Sequence, residues 1–180
     1  KHSREVNLPE LAIQYKDFAH WQSKLITSGA MDEARKYWHN YLEGDLEVLR
    51  LPTDYPYNSR QNDQQGAAYQ IKINKDVQEG LHRLIKDEQA SMFMVLLSAF
   101  NLLLHRLTGQ NDIILGVPMA GRDHDDLKGL IGFFLNTIVF RNQVNSEDSF
   151  NQLFNQVKTN TLNNMEYQSY PYELLMEELS

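Results

Sequence analysis

The sequence predicts an α+β fold: a two-layer sandwich in which helices pack on a mixed sheet of at least three strands. Three observations predict it. Apolar residues recur at helical spacing in six separate stretches. Three shorter stretches, "AAYQIKIN", "DIILGVP" and "LIGFFLNTIVFR", carry strand-type patterns. Their order is helix, helix, strand, helix, helix, strand, strand, helix, helix, which is not a regular strand–helix alternation.

The first helical stretch, "ELAIQYKDFAHWQSKLI", places Leu11, Tyr15, Phe18, Trp21 and Leu25 on one stripe, with Pro9 suited to a first helical turn and Ser28–Gly29 as punctuation. "MDEARKYWHNYLE" is a second helix, acidic where the helix dipole favours negative charge and stopped by Gly44. Residues 51–66 form a long polar loop rich in Pro, Asn, Asp and Gln. "AAYQIKIN" alternates with Tyr69, Ile71 and Ile73 on one face, a strand pattern, and Asn74 caps the next helix, which carries Val77, Leu81, Leu84 and Ile85. Ser91 starts "MFMVLLSAFNLLLHRL", apolar on nearly every side and therefore expected at the centre, with Gly109 as its end. "DIILGVP" has the continuous apolar run of a fully buried strand. Ser146 is placed to cap a helix bearing Phe150, Leu153, Phe154 and Val157, and a tyrosine-rich turn, "YQSYP", leads into a last short helix from Pro171.

Composition bounds the function. The chain has 180 residues, enough for one domain that buries roughly 70% of its unfolded surface. No cysteine is present, which removes disulfides, thiolate metal sites and a cysteine nucleophile, and fits a reducing cytoplasm. A net charge of −7 argues against broad nucleic-acid binding. No apolar run reaches the roughly 18 residues of a membrane span. The chain opens on "KHSREVN" without an initiator methionine, as expected of a piece of something longer.

The residues alone complete no catalytic constellation. No phosphate loop, G-x-S-x-G or G-x-G-x-x-G occurs. His20 and His39 fall on separate helices without metal-ligand spacing, and "RDHDD" (Arg122–Asp126) lacks the pattern of a calcium loop and reads as solvated. His105 suits a helix C-terminus. Trp21 and Trp38 read as packing between the first two helices. The exception is "LIGFFLNTIVFR". A strand alternates its faces, so Phe134, Asn136, Ile138 and Phe140 share one side and Phe133, Leu135, Thr137, Val139 and Arg141 the other. A buried, unpartnered amide costs about 1–3 kcal/mol. Asn136 is therefore either satisfied by neighbouring backbone or lines a polar cavity. Arg141 reads as an ion-pair partner.

Four stretches carry a resemblance. "LIGFFLNTIVFR" is similar to the I-G-x-F-x-N-T-x-x-x-R motif of nonribosomal peptide synthetase condensation domains, with Gly132, Phe134, Asn136, Thr137 and Arg141 in place. "IQYKDFAHWQ" resembles Y-x-D-[FY]-A-x-W at Tyr15, Asp17, Phe18, Ala19 and Trp21. "ILGVPMAGR" resembles the preceding strand and turn at Gly116, Pro118, Gly121 and Arg122. "YQSYPYELL" resembles H-Q-D-x-P-F-E at Gln168, Pro171 and Glu173, and departs from it at Tyr167, Ser169 and Tyr172. The family's H-H-x-x-x-D-G and R-x-x-S-R-N-P motifs do not occur.

The resemblance implies residues 1–180 as the C-terminal part of one condensation domain, in a chloramphenicol-acetyltransferase-like lobe, without the N-terminal lobe that holds the catalytic histidine or the extreme C-terminal segment. It implies amide formation between two thioesters held on the phosphopantetheine arms of donor and acceptor peptidyl carrier proteins, in a tunnel between lobes, with no cofactor or metal of the domain's own and no catalytic residue in this chain. Asn136 and Phe134 are then expected to line the substrate channel. Tyr15, Asp17, Trp21, Gly116, Pro118, Arg122, Gly132, Thr137, Arg141, Gln168, Pro171 and Glu173 are expected to be structural. The expected partners are carrier proteins, the N-terminal lobe and a neighbouring adenylation domain, in a cytoplasmic enzyme of antibiotic and secondary metabolism.

Overall fold

The computed structural model describes residues 10–54 and 66–180. Pro9 and most of the 51–66 loop lie outside the described residues. The elements are α1 (Tyr15–Thr27), α2 (Asp32–Tyr41), α3 (Lys75–Asp87), α4 (Met92–Thr108), β1 (Asp112–Met119), β2 (Asn136–Gln143), α5 (Phe150–Glu166) and α6 (Tyr172–Leu179), with a 3-10 turn at Asp125–Leu127. The expected helices are all present.

Their limits follow local chemistry. α1 begins at Tyr15 rather than Glu10, because Gln14 and Asp17 form a capping box: the Asp17 carboxylate accepts the Gln14 N–H at 2.8 Å. Asn74 accepts the Val77 N–H at 2.9 Å and opens α3; Ser91 accepts the Met94 N–H at 3.2 Å and opens α4. Gly109, at φ +71°, closes α4 in the left-handed conformation that a Cβ disfavours. α5 starts at Phe150, four residues beyond the expected Ser146 cap. There the Gln152 N–H donates to Ser149 Oγ while the Gln152 carboxamide accepts the Ser149 N–H.

The sheet departs from expectation. Among the described residues it has two strands, β1 and β2. Asp112 lies beside Arg141 and Gly116 beside Thr137, the descending register of antiparallel partners. The alternating 67–74 segment is not a strand: Tyr69 and Ile71 stand 91% and 77% exposed, and among the described residues the segment joins no sheet ladder. Alternation creates an apolar face, but a strand exists only where a ladder partner supplies hydrogen bonds. β1, expected to be fully buried, buries only Ile113 among its residues. β2 begins at Asn136, so Leu130–Leu135 approach it as loop.

Two compact units divide the chain. One comprises Lys1–Glu43, Gly116–Ile138 and Glu166–Ser180; the other comprises Gly44–Leu115 and Val139–Met165. In the first, Leu127, Leu130 and Phe134 form a buried cluster with Ile13 and Phe18 against it, and α2 packs on α6. In the second, Met94, Val95 and Phe154 gather Leu81, Leu84 and Ile85. α4 is central on one side only. Val95, Leu97, Ser98, Asn101 and Leu104 are buried, whereas Leu96, Phe100, Leu103 and Leu107 are about half exposed. Among the described residues no single helix is long and apolar enough to cross a membrane; the bent pair α3 and α4 meets that measure only together.

Candidate functional site

The first unit collects most of the singled-out residues, and Asn136 is their junction. It stands at the first position of β2, half-buried. Its Nδ2 donates to the carbonyls of Gln168 and Tyr170, each at 2.8 Å, and its Oδ1 accepts the Tyr172 N–H at 3.0 Å. Carbonyls only accept and the N–H only donates, so the partners settle which end of the amide is which. Backbone thus satisfies the amide, which also borders a hollow. Both of its N–H groups are committed to the turn between α5 and α6.

The cavity is about 320 Å³ and is lined by Phe18, Trp21, Gln22, Met31, Met119, Gly121, Asp123, His124, Leu127, Phe134, Asn136, Gln168 and Ser169. A second hollow, of about 290 Å³, shares Phe18, Gln22, Phe134 and Asn136 and adds Tyr15, Phe133, Leu135, Pro171 and Glu173. Phe134 and Asn136 thus border both hollows.

Phe134 is held by three neighbours. Tyr15 meets it edge-on at 5.2 Å between ring centroids, Phe18 lies at 4.8 Å, and the Arg122 guanidinium sits 4.1 Å over its face. Arg122 also donates to the carbonyls of Leu127 and Leu130, the latter at 3.0 Å, and so folds the loop that delivers Phe134. Tyr15 donates its hydroxyl to the Phe133 carbonyl at 3.0 Å. Two glycines make these approaches possible. A Cβ on Gly121, at φ +61°, would collide with the Phe134 carbonyl; one on Gly132 would enter the Tyr15 ring.

The turn is gripped from a second direction by residues that no motif match identified. Trp38, 3% exposed, donates its indole N–H to the Tyr167 carbonyl at 3.0 Å, and Tyr37 stacks on Tyr167 at 4.3 Å. The Glu178 carboxylate receives His39 Nε2 at 2.7 Å, the Tyr170 hydroxyl at 3.1 Å and Arg35 Nε at 3.0 Å. Burial raises the Glu178 carboxyl, but the donors from His39, Arg35 and Tyr170 outweigh it, and the net direction is downward. The Tyr170 phenol is pushed up to about 12 by burial and by its bond to Glu178.

The remaining residues fall elsewhere or act locally. Trp21 does not pack between the first helices: it is 54% exposed, lies 5.9 Å from Phe18 and faces the cavity. Thr137 packs against Gly116, and Pro118 is exposed on β1. Pro171 caps α6 and Glu173 lies in its first turn. Arg141 belongs to the second unit, where Nε and Nη2 clasp Asp112 at 2.9 and 2.7 Å. His105 Nδ1 donates to the Gln110 carbonyl at 2.9 Å, which helps close the end of α4. In the Arg122–Asp126 loop, His124 caps the 3-10 turn and Asp125 pairs with Lys128. Among the described residues no group of three or more His, Asp or Glu side chains is placed to hold a metal ion.

This geometry builds a fastened cavity with Phe18, Trp21 and Phe134 among its walls and Asp123, His124 and Ser169 also on its lining. The family model for condensation domains matches residues 1–180, and the chain belongs to that family. It is 41% identical to gramicidin S synthase 2 of Brevibacillus brevis over 172 residues, 96% of this chain and 4% of that synthase. It is 41% identical to surfactin synthase subunit 1 of Bacillus subtilis over 173 residues, again 96% of this chain and 5% of that subunit. The chain therefore spans only a few per cent of the length of these relatives. Among solved structures, a four-domain nonribosomal peptide synthetase bound to AMP and glycine superposes with a TM-score of 0.75 at 29% identity, covering 81% of this chain and 11% of that one. The X-domain from teicoplanin biosynthesis gives a TM-score of 0.85 at 21% identity, covering 95% of this chain and 39% of that one. The fold is the α+β fold of condensation domains.

Proposed function

We propose that this chain is the C-terminal part of a peptide-bond-forming condensation domain, a chloramphenicol-acetyltransferase-like two-layer lobe, and that its fastened cavity is one wall of the channel where two tethered substrates meet. One observation carries this. The four motif stretches, separated by up to about 150 residues of sequence, supply the walls and fastenings of a single cavity through Tyr15, Phe18, Trp21, Arg122, Phe134, Asn136 and Gln168. The relatives at 41% identity are peptide synthases, which supports the same reaction class.

In this role the chain supplies shape rather than chemistry. The acceptor's amine attacks the donor's thioester carbonyl; the C–N bond forms and the thiol leaves on its phosphopantetheine arm. Rigid walls that hold both tethered groups in attacking geometry supply much of the rate. Asn136 serves as a fastener of that wall, since its donors are already spent on Gln168 and Tyr170. The histidine motif belongs to an N-terminal lobe, so the isolated 180-residue chain is expected to be inactive in condensation. The partners are donor and acceptor carrier proteins and a neighbouring adenylation domain; the domain itself needs no cofactor, and the setting is cytoplasmic. An epimerization or heterocyclization relative, or a non-catalytic carrier-protein-binding fragment, is the alternative, and "GFFLNT" favours condensation over the first.

The test is photo-crosslinking. A carrier protein bearing a diazirine-tagged pantetheine is presented to the condensation domain that contains this segment. Label on Trp21, Phe134 or Gln168 supports the channel wall. Label confined to the outer surfaces of α3 or α5 contradicts it.

A further inference from the structure

We propose that Glu178 is a positioning residue for this wall, one that sets the cavity without touching it. The proposal rests on the channel reading above. Glu178 does not line the cavity, and it lies outside the motif-like stretch that ends at Leu175. Yet its carboxylate gathers three donors from two directions: Arg35 and His39 of α2, and the hydroxyl of Tyr170.

Tyr170 makes the connection. It is 4% exposed and is held at both ends. Its main-chain carbonyl accepts from Asn136 at 2.8 Å, and its phenol donates to Glu178 at 3.1 Å. A side chain fixed at its tip fixes its own backbone, because the remaining torsions have few staggered wells open to a buried ring. Glu178 therefore limits where the Tyr170 carbonyl sits. That carbonyl and the Gln168 carbonyl, both on Asn136 Nδ2, share one amide, so a shift at Tyr170 is felt at Gln168, which lines the cavity. Loss of the carboxylate leaves Arg35 and His39 without their acceptor and the Tyr170 ring free to turn. The disturbance then reaches the cavity through the Asn136 fastening.

The experiment uses the condensation domain that contains this segment, with Glu178→Gln, Tyr170→Phe, Asn136→Ala and the double variant Asn136→Ala/Glu178→Gln. Glutamine keeps the size but removes the charge and replaces one of the two acceptor oxygens with an N–H group, so the three donors can no longer all be accepted. Condensation by Glu178→Gln should fall about tenfold, and the double variant should be no slower than Asn136→Ala alone, since both changes release the same turn. The Asn136 side-chain amide, followed by NMR hydrogen exchange, should exchange about tenfold faster in Glu178→Gln. Tyr170→Phe, which removes one hydroxyl from a packed ring, should move exchange and rate in the same direction and covers the case in which Glu178→Gln does not fold. Multiplying losses in the double variant, or unchanged Asn136 exchange in both Glu178→Gln and Tyr170→Phe, would overturn the proposal. If Asn136→Ala itself condenses at the normal rate, the channel reading fails instead, and the exchange measurement still decides whether Glu178 governs the turn.

Discussion

Asn136 and Tyr170 are joined across 34 residues of sequence by a 2.8 Å hydrogen bond from side-chain amide to main-chain carbonyl. The same amide takes the Gln168 carbonyl and the Tyr172 N–H, so one side chain closes three main-chain groups of the turn. Replacement by alanine leaves these groups without their partner, at about 1–3 kcal/mol for each that stays buried and unsatisfied. Asn136→Asp is the sharper probe. A carboxylate can still accept from Tyr172, but its other oxygen would face two carbonyls. At neutral pH this variant should be at least as unstable as Asn136→Ala. Below about pH 4 it should recover, because a protonated carboxyl can donate to one carbonyl. Urea unfolding at the two pH values, referred to wild type, measures both.

The two motif glycines should differ in tolerance. At Gly121 the obstacle to a methyl group is the Phe134 carbonyl, and the backbone is at φ +61°; at Gly132 it is the Tyr15 ring. Rings can swing aside and backbone cannot. Gly121→Ala is expected to cost about 1–3 kcal/mol from backbone strain alone, with the collision added, and more than Gly132→Ala. Gly132→Ala should instead disturb the Tyr15 hydroxyl bond to Phe133. Thermal melting ranks the two.

Arg141 and Asp112 form a clasped pair with 16% and 14% of their side chains exposed. Removing one partner strands the other charge, and Arg141→Ala is expected to cost about 3 kcal/mol. Replacing both by apolar residues, Arg141→Met with Asp112→Leu, should recover most of that loss, because the desolvation of two charges disappears together. A denaturant series on the two singles and the double separates the contributions.

The Glu178 cluster predicts pH dependence at both ends of the scale. The folded state holds the Glu178 carboxyl below the ordinary carboxylate range. Its contribution is therefore present above the unfolded pKa and is lost as pH falls through the folded one. Tyr170 runs the opposite way: its pKa is raised to about 12, so its contribution is present below the unfolded phenol value of about 10 and disappears as pH rises through 12. The stability gap between wild type and Glu178→Gln should narrow in acid, and that between wild type and Tyr170→Phe should narrow in strong alkali. Melting temperature across pH reads both gaps.

Local chemistry made the helices legible. Asn74, Ser91 and Gly109 delimit α3 and α4 where their cap chemistry places them. What depended on distant partners was not legible. Residues 67–74 alternate correctly for a strand and are not one, because pairing is decided elsewhere in the chain. The outer stripe of α4 reads as core by composition and is half exposed. The turn's attachment to Asn136 spans 32 to 36 residues, and its attachment to α2 spans far more, so no spacing rule reaches either. Glu178 lies in a plain acidic helix end, and only the convergence of Arg35, His39 and Tyr170 distinguishes it.

The most direct measurement is dipeptidyl-thioester formation by the condensation domain containing this segment, with Asn136→Ala against wild type, both carriers fully loaded and melting temperature followed in parallel. If the fastened turn is a wall of the reaction channel, product formation falls at least tenfold in a variant that remains folded at the assay temperature. Product formed at the wild-type rate by such a folded variant would contradict it.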